Sequence, residues 1–133
     1  MVADTSELSG FALGDAIVEG ERDVVFRVSE RLVAQGVSVG SLVYSASTTL
    51  RRAEKAMSKI EAGMPPGQIE KQLGMPPFLA RRLISSLGNA SLETLKDATV
   101  AISDLEVWTR GGAEYPDELA LDLALLAATD DGL

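Results

Sequence analysis

The sequence predicts an all-α fold, a single compact helical bundle of about seven helices. Three observations lead there. Apolar residues recur at three- and four-residue spacing along nearly the whole chain, while no alternating run bounded by turn signals reads as a strand. The breaks between periodic segments are glycines, prolines and capping serines separated by short loops. Length and composition fit one core: 133 residues, 46% hydrophobic and 24% charged, with no internal repeat or low-complexity linker.

Residues 1 to 9 read as a linker, 10 to 128 as the helical domain and 129 to 133 as a tail holding Asp130 and Asp131. Phe11, Leu13, Ala16, Ile17 and Val18 form the apolar side of a short first helix ending at Gly20. A second helix, from Glu21 to Gln35, puts Val24, Val25, Val28, Leu32 and Val33 on one stripe and stops at Gly36. Ser38 is placed to cap a long third helix reaching Ala62. Its first half is rich in small residues (Gly40, Ser41, Ser45, Ala46 and Ser47), which permit close helix approach, and its second half is basic. Gly63 ends it. Pro66 opens a short fourth helix to Leu73, and Pro76 a fifth to Leu87, because proline at a first helical position forfeits no hydrogen bond.

Ser91 caps a sixth helix from Leu92 to Arg110, with Leu92, Leu95, Ala98, Ile102, Leu105 and Trp108 on its buried side. Gly111-Gly112 breaks it. A last helix starts after Tyr115-Pro116 and ends near Ala128, with leucines around most of its circumference. A helix apolar that far round is packed on more than one side, within the domain or against a neighbour.

Composition narrows the chemistry. Cysteine is absent, which excludes disulfides, thiol nucleophiles and thiolate metal sites. Histidine is absent too, removing the commonest general base and zinc ligand. No glycine-rich loop leads into Lys-Ser/Thr, and no cofactor is expected. The acids Asp117, Glu118 and Asp122 sit at a helix start, where negative charge favours the macrodipole, so they do not read as a metal cluster. No apolar run is long enough to span a bilayer, and the polar start Met1 to Gly10 does not read as a signal peptide.

Net charge is −8, which opposes nonspecific nucleic-acid binding by the chain as a whole. The charge is uneven: Arg51, Arg52, Lys55, Lys59, Lys71, Arg81 and Arg82 face only three acids between residues 51 and 82. That band suits phosphates or an acidic partner; a solvated helix face with incidental salt pairs is the competing explanation. The short helix, the Gly74-Met75-Pro76 turn and the basic helix after it have the lengths of a helix-turn-helix, so a DNA-binding regulator is the alternative function. However, a DNA-reading helix opens with polar donors, and this one opens with Pro77, Phe78, Leu79 and Ala80, which suit packing on protein.

The run Ile69-Glu70-Lys71-Gln72-Leu73-Gly74-Met75-Pro76-Pro77-Phe78-Leu79-Ala80-Arg81-Arg82-Leu83 resembles the C-terminal domain of the delta subunit of bacterial DNA polymerase III. Ser91-Leu92-Glu93-Thr94-Leu95 is similar to that family's next helix start, and Ser103-Asp104-Leu105 with Gly111-Gly112 to the following helix end and glycine pair. Arg110 stands in for the lysine usual before that pair. Pro116-Asp117-Glu118-Leu119-Ala120-Leu121 resembles the final leucine-rich helix, and Ser9 to Ala16 the exit from the preceding lid domain.

The resemblance implies a non-catalytic collar domain of a cytoplasmic clamp loader, which places the sliding clamp on primed DNA. Its implied partners are the other clamp-loader subunits, of gamma/tau and delta-prime type, with the clamp contacted only through an N-terminal domain outside this sequence. The expected partner-binding residues are Leu119, Leu121 and Leu125, together with the small-residue half of the third helix. Arg51, Arg52, Arg81 and Arg82 are the candidates for primer-template phosphates. Tyr115, in the loop where some family members carry a template-contacting aromatic, is the candidate for a base.

Overall fold

The computed structural model describes residues 5–107, 109 and 116–129. Among them the chain forms seven α-helices and no strand: α1 (Thr5–Glu19), α2 (Arg22–Ala34), α3 (Val39–Glu61), α4 (Pro66–Gln72), α5 (Pro77–Ser86), α6 (Leu92–Val107) and α7 (Asp117–Ala128). A 3-10 turn, Leu87–Asn89, follows α5. Helix α1 begins six residues before Phe11, inside the stretch read as linker. Nothing between Thr5 and Phe11 breaks a helix except Gly10.

The long helix α3 is the spine. Leu42, Ala46, Leu50, Ala53 and Ala56 have no exposed surface, and α3 packs most extensively on α1 and α6. The crossing with α1 is set by a glycine. A Cβ added to Gly14 would lie 2.5 Å from the Thr49 Cβ, so α1 reaches α3 only because residue 14 lacks a side chain. Leu13, Ile17 and Val25 complete that side of the core, while Leu95, Ile102, Leu105, Leu121 and Leu125 fill the other.

The caps follow the sequence. Ser38 Oγ accepts from the Ser41 N–H at 3.1 Å. Ser91 Oγ accepts from the Thr94 N–H at 3.1 Å while Thr94 Oγ1 accepts from the Ser91 N–H at 3.1 Å, a reciprocal cap with threonine in the usual place of Glu or Gln. Between α4 and α5, Gly74 takes φ +67°, a left-handed conformation that glycine adopts at little cost. Pro76 then precedes α5 with Pro77 at its first turn.

The far end of the bundle was not legible in the sequence. Arg22, at the start of α2, donates from Nε to Thr129 Oγ1 at 3.1 Å and from Nη2 to the carbonyls of Leu126 and Thr129, both at 3.3 Å. A guanidinium therefore caps the C-terminal end of α7, where unpaired carbonyls and the helix dipole both favour a cation. Thr129 is buried, so the packed chain includes the first residue that the sequence assigned to the tail.

Candidate functional site

Two surfaces stand out, one apolar and one basic. On α7 the leucines divide by face. Leu119, Leu123 and Leu126 are 44%, 39% and 43% exposed and fall at i, i+4 and i+7, the spacing of one helical stripe. Leu121 and Leu125, with Ala120 and Ala124, lie in the chain's own core. The structure therefore removes Leu121 and Leu125 from the surface on which the sequence placed them. Alternate leucines alone do not reveal which side of α7 meets α6, the helix it packs on most. Helix α6 adds exposed Val100 and Val107, seven residues apart and hence on one side of that helix.

The small-residue half of α3 has an internal use. Ala46 and Ser47 are buried, and the close approach it permits is to α1 through Gly14 and Thr49. Gly40 and Tyr44 remain on the solvent side.

The basic band divides in the same way. Arg82 faces Asp15 of α1 across 3.5 Å, and Arg81 lies 4.0 Å from Glu70 of α4. Asp15 is nearly buried, and desolvation pushes its carboxyl up to about 6, against the pull of Arg82 and with a smaller push from Glu19. Ser86 extends the seam: its hydroxyl donates to the Arg82 carbonyl at 2.9 Å and reaches Glu19 at 3.4 Å. Arg81 and Arg82 thus join α5 to α4 and α1. Arg52 is half-buried and engaged, whereas Arg51 is exposed. Sequence reasoning missed the Asp15–Arg82 pair because the two residues are far apart in the chain and Asp15 sits in an otherwise apolar run.

Helices α4 and α5 and the turn between them form where the sequence placed them, but their chemistry points away from DNA reading. Leu79, Ala80 and Leu83 are buried, while Pro77 and Phe78 face solvent, so only part of the apolar start of α5 packs on protein. The exposed opening of this helix offers no base-edge donor, and both of its arginines face carboxylates of the same chain. Trp108, Arg110, the Gly111-Gly112 pair and Tyr115 lie outside the described residues. Among those described, no three metal-ligating side chains come together. No helix is long and apolar enough to cross a membrane.

Among the described residues, this helical bundle exposes a leucine stripe and a basic helix face. Its fold is that of the Bacillus subtilis DNA clamp loader delta protein (YqeN), at a TM-score of 0.77 and 21% identity, over 97% of this chain and 38% of that one. The chain thus spans under two fifths of the solved protein it matches. No curated protein matches it. Residues 7–128 match the model of the DNA polymerase III delta subunit, C-terminal domain, and the chain belongs to that family.

Proposed function

We propose that this chain is a non-catalytic collar domain that joins a delta subunit to the other subunits of a bacterial clamp loader, of gamma/tau and delta-prime type, in the cytoplasm. Family membership over residues 7–128 supports the reading, and the exposed stripe Leu119, Leu123 and Leu126 is the observation that carries it. Three leucines left in water on one face of a packed helix fit the apolar centre of an interface. Leu119 is retained from the sequence expectation; Leu123 and Leu126 take the places of Leu121 and Leu125. The sliding clamp itself meets a domain outside this sequence.

The test is co-elution of the purified chain with the other clamp-loader subunits on a sizing column. The expected result is a complex that persists at about 0.5 M salt, because apolar contact is not screened as exposed ion pairs are. Leu123→Asp should abolish the complex while leaving the circular dichroism unchanged, since residue 123 is outside the core. No association with any of the subunits would refute the reading.

A further inference from the structure

A cavity of about 200 Å³ opens at the end of the bundle where α1 and α7 both finish and α6 begins. Its walls are Ile17 and Val18 from the last turn of α1, Leu95 and Ala98 from α6, and Ala128 from the end of α7. Ile17, Val18, Leu95 and Ala98 are buried, so the floor is apolar and is made by the core itself. Thr94 and Thr129 also line it, but both hydroxyls are committed. Thr94 Oγ1 serves the cap of α6, and Thr129 Oγ1 accepts from Arg22 and donates to the Leu125 carbonyl. Glu19 is the one charged residue among those described in the lining. It is exposed and forms no ion pair among the described residues; its contact is the Ser86 hydroxyl at 3.4 Å.

The two helix ends at this cavity differ in how their charge is met. A helix C-terminus carries partial negative charge and favours a cation, and neither α1 nor α7 has a basic residue in its last turn. Arg22 supplies the cation for α7. Nothing equivalent serves α1: its last turn holds Glu19, and Asp15, one turn earlier, already faces Arg82 at 3.5 Å. We propose that this cavity binds a small organic ammonium ion, with a compact apolar body against Ile17, Leu95 and Ala98 and the charged amine at Glu19 and the end of α1. Volume sets the body, because an apolar cavity of about 150 Å³ already accepts a benzene ring. The remaining space suits a methylene and an amine. Sign sets the head: an anion would meet the Glu19 carboxylate and the negative end of α1, and a neutral group would leave both uncompensated.

None of Leu119, Leu123 and Leu126 lines the cavity, so binding is expected whether or not the chain joins other subunits. The probe is benzylamine, protonated at neutral pH, titrated into the isotope-labelled 133-residue chain and followed by the amide resonances. The amides of Val18, Gly20, Leu95 and Ala98 should shift saturably with a Kd of about 1 mM, the range open to a ligand of this size. Benzyl alcohol, of the same shape without the charge, should bind about three- to tenfold more weakly, and phenylacetate should leave these amides unmoved. Glu19→Gln should weaken benzylamine about threefold and leave benzyl alcohol unchanged. Ala98→Leu from the floor and Ala128→Leu from the wall both extend into the cavity, and each should lower benzylamine affinity at least about tenfold. Circular dichroism checks the fold of each, and the wall variant carries the test if the floor variant is disrupted. Three results would each overturn the site: no saturable shift at these amides up to about 20 mM benzylamine, phenylacetate binding as tightly as benzylamine, or full affinity in a folded cavity-filling variant.

Discussion

Asp15 carries the sharpest consequence at the scale of single residues. Its carboxyl, raised from 3.8 to about 6 by burial, holds a proton in the folded chain at pH values where the unfolded chain has released it. Stability from this group therefore falls as pH rises from about 4 to about 6 and stays low above that, with a ceiling of about 3 kcal/mol. Asp15→Asn should remove the dependence. In urea denaturation, the stability of the variant relative to the parent should be greater at about pH 7.5 than at about pH 5. A difference that does not move with pH would contradict the assignment. Thr49 gives a second prediction. Its hydroxyl is fully buried with no hydrogen-bond partner among the described residues, as is that of Ser47. Thr49→Val keeps the shape that receives Gly14 and removes an unsatisfied group, so it should stabilise the chain by about 1 to 3 kcal/mol, read from the urea midpoint.

Helix order, the Ser38 and Ser91 caps, the proline starts of α4 and α5 and the periodic core faces of α2, α3 and α6 were legible in the sequence, because each rests on contacts within a few residues. The orientation of α7 was not. With leucines on nearly every side, its buried face is decided by α6 and α2, and no local pattern encodes those neighbours. The division of the basic band was equally hidden. Arg81 and Arg82 are consecutive and alike in sequence, yet one meets Glu70 and the other Asp15.

For the whole molecule, the decisive contact is the one between its extremes in sequence. Arg22 holds the Leu126 and Thr129 carbonyls and the Thr129 hydroxyl, joining positions separated by more than a hundred residues. This clasp ties the last helix to the second, so α7 cannot peel from the bundle without uncovering three of its own acceptors. Hydrogen exchange should report it: the amides of α7 should open together with those of α3, in one cooperative unit, while Arg22→Ala should let α7 exchange by a separate and faster opening. On the proposed assembly role, a leucine stripe on a clasped helix would meet its partner on an element that folding has already ordered. The ordering entropy of that helix would then be lost on folding and would not oppose association a second time.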